Sequence, residues 1–340
     1  MKNILNISKE ELINTLGIQK NFIYEQIMDF IYKGKNYDEM SSISFELRNK
    51  LKESIPYIPV HIKTVQKSTD GTKKYLFELY DSNCIEAVFM PNAYGNTVCL
   101  STQVGCRMGC RFCASTIGGR IRNLDYTEMI GQVIVLNRDN RVQNERSIKN
   151  IVLMGIGEPL DNYDNTVEFI REITTGKLNF GKRNISLSTC GLVDQIDKLM
   201  NENLGINLCI SLHAPFDEIR DRIMPINLKY KISDILEACK RYYSVTKRQI
   251  IFEYVMIKGV NDTKACFDEI VKISKTMDCH FNFITLNKIQ ESGYQGTDKS
   301  GVYKFVDDLN KLGVNATVRR SLGRDIDGAC GQLRRKSLIK

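Results

Sequence analysis

No run of about 18 uncharged apolar residues occurs in the 340-residue sequence, so no membrane span is expected. The opening stretch, Met1 to Leu12, carries Lys2, Lys9, Glu10 and Glu11 and has no apolar centre, so no signal peptide is expected either. Both absences point to a cytoplasmic protein in a reducing environment. Internal repeats and low-complexity segments are also missing, which leaves a globular chain with one large domain of roughly 250 residues and a small appendage. Histidine is scarce, at three copies, and none lies close to the cysteine-rich loop described below. A zinc site there would have to recruit its fourth ligand through the fold. A disulfide framework is unexpected as well: eleven cysteines is an odd number, and cytoplasmic thiols serve as core residues, metal ligands or catalytic groups. Cys84, Cys209, Cys239, Cys266 and Cys279 sit among apolar neighbours and read as core.

Positive charge is in excess. The net charge of +8 favours a polyanionic partner, and cations thicken toward the end of the chain at Arg319, Arg320, Arg324, Arg334, Arg335, Lys336 and Lys340. A solvated basic face would have the same composition.

The pattern of apolar residues divides the chain into residues 1–55, 56–97 and 98–340. The first part has helical spacing, with Phe22, Ile23, Ile27, Phe30 and Ile31 on one face, and reads as a small helical domain. The second holds extended runs: Val60 to Val65 and Tyr75 to Leu79 across Asp70-Gly71, then Ile85 to Met90 and Thr97 to Ser101 around Gly95-Asn96. From Val98 onward short apolar strands alternate with amphipathic helices. The strands are Val98 to Thr102, Ile151 to Met154, Ile185 to Leu187, Ile206 to Leu212, Ile250 to Ile257 and Phe281 to Leu286, with a closing strand near Val314 to Arg319. This α/β alternation predicts a parallel sheet curled into a partial barrel whose active site lies at the carboxyl ends of its strands.

After the first barrel strand come Cys106, Cys110 and Cys113 in a glycine-containing loop, spaced CxxxCxxC. Three thiolates can hold a four-iron cluster and leave one iron open to a substrate. The loop resembles that of the radical S-adenosylmethionine superfamily, in which the open iron chelates the cofactor. The other strand ends carry Gly157-Glu158-Pro159, whose carboxylate could take an ammonium, then Ser188-Thr189, Ser211-Leu212-His213 and Asn287. Each can be read singly as a cap or a satisfied core polar group, but their common placement at one rim favours a pocket. Cys99, on the first strand, and Cys330, in the small-residue loop Asp327-Gly328-Ala329-Cys330-Gly331, could both reach the barrel mouth.

Taken together, these segments resemble the RlmN/Cfr family of radical adenine methyltransferases, in family order from about residue 85 to the end. The resemblance rests on Cys99 to Cys106, the cysteine loop, Gly157-Glu158-Pro159-Leu160, Leu187-Ser188-Thr189, Ser211-Leu212-His213-Ala214-Pro215, Met224-Pro225-Ile226-Asn227, Gly259-Val260-Asn261-Asp262 and Ala329-Cys330-Gly331-Gln332-Leu333. It implies a [4Fe-4S] cluster on Cys106, Cys110 and Cys113, and S-adenosylmethionine, two molecules per turnover, contacted by Gly157, Glu158, Ser188, Ser211, Leu212, His213 and Asn287. It also implies that Cys330 carries a methyl group donated by the first molecule, that a radical made from the second activates that methyl, and that the resulting carbon adds to an adenine ring. Glu86 matches the base that removes the ring proton, and Cys99 the thiol that resolves the protein–RNA bond through a disulfide with Cys330. Two positions depart from the family pattern: Gly328 replaces an expected Ala, which should loosen the loop carrying Cys330, and Cys190 stands where Ser is usual.

A structured RNA substrate would account for the basic balance, with the helical first part and the Arg-rich tail as candidate RNA surfaces. Gly157-Glu158-Pro159 and His213-Ala214-Pro215 resemble the housekeeping branch, which implies methylation of adenine carbon 2 in 23S ribosomal RNA and transfer RNA. The alternative is the resistance branch, which methylates carbon 8. From a different class, a zinc-stabilised RNA-binding protein without catalysis would give no use to Cys99 or Cys330. The expected partners are 23S rRNA, tRNA and a reducing donor such as flavodoxin or ferredoxin, with the chain acting as a monomer.

Overall fold

The computed structural model describes residues 2–18, 20–141, 147–287 and 292–338; Lys340 of the basic tail lies outside them. Helices α1 (Lys9–Leu16), α2 (Asn21–Tyr32) and α3 (Phe45–Ser54) open the chain. Ser8 and Ser44 start the first and third by accepting from Glu11 N and Leu47 N, which satisfies donors that a helix end otherwise leaves bare. Ile27 and Ile31 of α2 are buried as the spacing predicts, but Phe22, in the first turn, is 55% exposed. These helices share one hydrophobic cluster with the rest of the chain, and Arg138 on α4 (Tyr126–Asp139) ties them down by donating to Gly34 O at 2.8 Å.

Four antiparallel strands follow: β1 (Val60–Lys67), β2 (Lys73–Leu79), β3 (Cys84–Met90) and β4 (Asn96–Cys99). The Asp70-Gly71 turn forms as the sequence predicts, with Gly71 at φ +85° and Asp70 accepting from Thr72 N. From β4 the pairing becomes parallel through β7 (Ile148–Leu153), β8 (Ile185–Thr189), β9 (Asn207–Ser211), β10 (Ile250–Met256), β11 (Cys279–Thr285) and β12 (Ala316–Val318). All of these strands belong to one ten-stranded sheet, ordered β1-β2-β3-β4-β7-β8-β9-β10-β11-β12. Helices α4, α5 (Tyr163–Thr175), α6 (Val193–Leu199), α8 (Ile232–Thr246), α9 (Lys264–Ser274) and α10 (Lys299–Lys311) link the parallel strands. Phe252, Tyr254, Phe281 and Phe283 on β10 and β11 are fully buried, as strands covered on both faces require.

Two elements escape the sequence pattern. A short helix, α7 (Asp217–Ile223), follows β9, and another, α11 (Gln332–Leu338), forms within the stretch read as a basic tail. Arg334 on α11 is therefore not an RNA-facing cation: it is buried, with its Nε donating to Cys84 O at 2.8 Å. The first barrel strand is also shorter than expected. It ends at Cys99, and the chain then leaves the sheet through Ser101 and Thr102 to form β5 (Gln103–Gly105).

Candidate active site

The cysteine loop is the tip of a hairpin. Strand β5 pairs antiparallel with β6 (Arg120–Asn123), and Cys106 N donates to Gly119 O at 3.1 Å to close the base. Inside the loop Thr116 Oγ1 donates to Cys113 O at 2.9 Å, and Arg111 N is tied to Ile223 O at the end of α7. Asp161, almost wholly buried, holds the hairpin from below through Arg107, Arg120 and Gln103, the last at 2.9 Å. Burial pushes its carboxyl up, but the hydrogen bonds from Arg107 and Gln103 and the charge of Arg120 outweigh that and bring it below the usual range.

The neighbouring strand ends supply the rest of the rim. Glu158 follows β7 and is buried; it accepts from Cys190 N at 2.8 Å and Leu160 N at 3.0 Å, and burial raises its pKa. Gly157 is needed beside it: its φ is +115°, and a Cβ there would stand 2.7 Å from Gln103 Cβ. Ser188 and Ser211, at the ends of β8 and β9, lie within 3.3 Å of each other through their hydroxyls. His213 adopts φ +56°, accepts from Val255 N at Nδ1, and packs edge-on against Phe112 with centroids 5.0 Å apart. Burial, assisted by Arg220, pushes its pKa down to about 3, so the imidazole is neutral at ordinary pH. Arg220 itself is fully buried on α7 and donates to Leu212 O, Cys190 O, Ser211 O and Asn227 Oδ1 at 2.6 to 3.1 Å. It braces the carboxyl ends of two adjacent strands.

Across the mouth, Cys99 and Cys330 line the same cavity, and Cys330 Sγ donates to Met154 O at 3.2 Å. The neighbouring Cys99 and the cations Lys74 and Arg319 bring the Cys330 thiol below its usual range against the opposing effects of burial and Glu86, while the neighbouring Cys330 and burial push Cys99 up. Gly331, at φ +83°, brings this loop so close to the cysteine hairpin that a Cβ would stand 2.7 Å from Ser115 N. Gly328 is not slack in the loop, as its departure from the expected Ala suggested: a Cβ there would meet Gly323 O at 2.6 Å, so the glycine permits a close approach.

One cavity of about 360 Å³ gathers most of the residues singled out from the sequence. Cys99, Cys106, Cys110, Cys113, Gly157, Glu158, Ser188, Ser211, His213, Asn287 and Cys330 all line it, and Cys190 joins them. Two do not. Leu212 is buried in the hydrophobic core, and Glu86, 2% exposed, lies behind the Cys330 loop. A larger hollow of about 720 Å³ around Asp161, Asp194 and Lys229 contains no cysteine.

The radical SAM superfamily pattern matches residues 100–271. A protein of Clostridium novyi (strain NT) named "Probable dual-specificity RNA methyltransferase RlmN" is 47% identical, with 98% of each chain covered. A protein of the same name from Clostridioides difficile (strain 630) is also 47% identical, over 99% of this chain and 97% of its own. A solved radical SAM methyltransferase from Sphaerobacter thermophilus superposes with a TM-score of 0.90 at 37% identity, covering 98% of this chain and 99% of that one. The chain belongs to the RlmN family of radical SAM methyltransferases.

The donor set fits the iron–sulfur cluster that the radical SAM superfamily uses. Among the described residues no three His, Cys, Asp or Glu side chains converge on a single ion. A cluster instead takes each thiolate at a different corner. Burial pushes all three thiols up, Cys106 to about 12, with Cys113 and Cys106 adding to the effect at Cys110 and Cys330 adding to it at Cys113. That penalty is reversed when a cationic metal centre binds. Thr72 Oγ1 is buried in the same cavity wall. Sequence reasoning missed the braces of this RlmN-family site. Lys74, Arg220 and Glu253 gave no local signal, and Arg319, read as part of a basic tail, lines the cavity 3.5 Å from Glu253. All eleven cysteines are free thiols, and the five read as core are buried.

Proposed function

We propose that this chain methylates carbon 2 of an adenine in 23S ribosomal RNA and in transfer RNA, with Cys330 as the methyl carrier. The observation that supports this most directly is that Cys99 and Cys330 line the same cavity as three further thiols, Cys106, Cys110 and Cys113. Cys106, Cys110 and Cys113 would hold a [4Fe-4S] cluster, which together with S-adenosylmethionine would supply hydrogen-atom abstraction. The remaining work falls to side chains. Glu158, Gly157, Ser188, Ser211, His213 and Asn287 line the space for the sulfonium cofactor, and the Glu158 carboxylate is suited to its ammonium. Leu212 would contribute through its backbone, since its side chain is core. Cys330, favoured as thiolate, attacks the methyl of one S-adenosylmethionine: a carbon–sulfur bond forms and S-adenosylhomocysteine leaves.

A second S-adenosylmethionine serves the abstraction step, and the methylene on Cys330 then bonds to the adenine ring. Glu86 takes the ring proton. The radical adduct also gives up one electron, returning the one spent in cofactor cleavage. The Cys99 thiolate then attacks the Cys330 sulfur, and the carbon–sulfur electron pair goes to the methylene carbon, which takes a proton to become the methyl. The disulfide left behind needs a two-electron reductant to reopen it. The electron would come from a flavodoxin or ferredoxin, with the enzyme a cytoplasmic monomer. Residues 1–55 would serve as the RNA-binding appendage, joined by residues 56–97 to the catalytic barrel of residues 98–340, and the exposed Arg320, Arg324 and Lys336 are candidate phosphate contacts. The test is mass analysis of ribosomal and transfer RNA from a strain lacking the gene. Loss of 2-methyladenosine is expected; unchanged 2-methyladenosine, or loss of an 8-methyl product instead, overturns the assignment.

A further inference from the structure

Lys74 and Glu86 stand on neighbouring strands at diagonal positions of the β2–β3 register, where Lys74 opposes Val88 and Leu76 opposes Glu86. Their side chains are 1% and 2% exposed, and the charged ends meet at 2.7 Å. Each also holds something else. Lys74 Nζ donates to Ala329 O at 2.9 Å, while Glu86 accepts from Gly331 N at 2.7 Å and from Arg334 N at 2.6 Å. The backbone on both sides of Cys330 is therefore gripped by one buried ion pair. The β1–β2 turn adds an outer fastening: Gly323 N donates to Asp70 Oδ2 at 2.9 Å, and Gln66 and Asp327 exchange two bonds of 3.0 Å.

We propose that Lys74 is a positioning residue for Cys330: together with Glu86 it latches the loop so that the thiol lies against Cys99, and opening this latch frees the thiol to move and the carboxylate to act. The proposal rests on the reading of Cys330 as methyl carrier and Glu86 as base. A carboxylate whose oxygens are already occupied by two backbone amides and an ammonium, and which is 2% exposed behind the loop, cannot also reach a substrate in the cavity, so the two roles of Glu86 exclude each other in time. While the loop is seated, Glu86 is a clamp. Once the loop lifts, Gly331 and Arg334 withdraw their N–H groups and the carboxylate can face the ring. Base availability is thereby tied to displacement of the loop that carries the methyl group. A buried pair of this kind contributes little net stability but fixes geometry strictly, because either partner alone is costly to leave unpaired.

Amide hydrogen exchange of the full-length, cluster-loaded protein tests the latch without reference to catalysis. Lys74→Met is expected to speed exchange across residues 330–334 by about tenfold or more while the amides of β2 and β3 stay slow. Cys330 should also alkylate faster with iodoacetamide. Because Lys74→Met strands the Glu86 charge and can impair folding, the neutral pair Lys74→Met/Glu86→Gln provides a second route and should show the same local loosening. Lys74→Arg, which keeps the charge, should restore much of the protection, a rescue that a mere packing role would not give. Wild-type exchange at 330–334 in either Met variant overturns the proposal. RNA methylation is scored separately: a wild-type protein with a protected loop but no methylated product rejects the functional reading and leaves the latch standing.

Discussion

Two sets of thiols line one cavity in opposite electrostatic settings. Burial pushes Cys106, Cys110 and Cys113 up, reinforced at Cys106 and Cys110 by neighbouring cysteines of the loop and by Glu158, and at Cys113 by Cys330. Cys330 instead has Cys99, Lys74 and Arg319 beside it, and these bring its thiol below the usual range despite burial and Glu86. The same residue type is thus prepared for different chemistry by its surroundings. The first set becomes thiolate only when a metal centre arrives, whereas the second is nucleophilic without one.

The sharpest break of this comparison is a set of three single replacements. Cys113→Ala should abolish iron retention after anaerobic reconstitution, and with it the release of deoxyadenosine, both falling to background. Cys330→Ala should keep its iron yet yield neither S-methylcysteine nor methylated RNA. Cys99→Ala should keep iron and carrier methylation but trap a protein–RNA adduct. Iron analysis and mass spectrometry of protein and RNA read all three. Loss of iron in Cys330→Ala would show that the two sets are one site, since the loops touch through Gly331 and Ser115.

The same contrast marks what the sequence could reveal. The cysteine hairpin is legible because its ligands lie within eight positions and their spacing is itself the signal. The strand ends are legible because apolar runs and polar stops alternate at the period of a barrel. Leu212 is in the right motif, but its side chain belongs to the core, a distinction of facing that a motif does not carry. The partners of Glu86 lie 245 and 248 positions away, and nothing local to Lys74 or Glu86 announces them. Residues 332–338 look like a basic tail because their charges are visible and the burial of Arg334 under the sheet is not.

Arg220 is the brace on the cluster side, as Lys74 is on the Cys330 side, and its removal should have the next largest effect. Its guanidinium is the donor to the backbone carbonyls of Cys190, Ser211 and Leu212, and a buried carbonyl left bare costs its full desolvation. Arg220→Ala is expected to lose about 3 to 5 kcal/mol in denaturant unfolding. Arg220→Lys, with fewer donors and no planar fork, should recover only part of that. A loss below about 1 kcal/mol for the Ala variant would mean that water satisfies those strand ends and that the brace is dispensable.

The smallest effect concerns pH, where the neutral imidazole of His213 separates this wall from the cationic one. Its folded pKa, about 3, lies below the ordinary 6.5, so the unfolded chain binds the extra proton as the medium turns acid. The stabilising contribution is complete above 6.5 and drains away as pH falls toward about 3. From pH 8 down to pH 5 the loss should be about 2 kcal/mol, the slope approaching 1.36 kcal/mol per pH unit once the pH is well below the unfolded value. His213→Asn retains an acceptor for Val255 N and tolerates the φ of +56°, but cannot titrate. Its unfolding free energy should therefore fall less steeply than that of the parent across this interval, by about the same 2 kcal/mol. Parallel pH profiles for the two proteins would place the acid sensitivity on another group and remove the claim that His213 is held neutral in the fold.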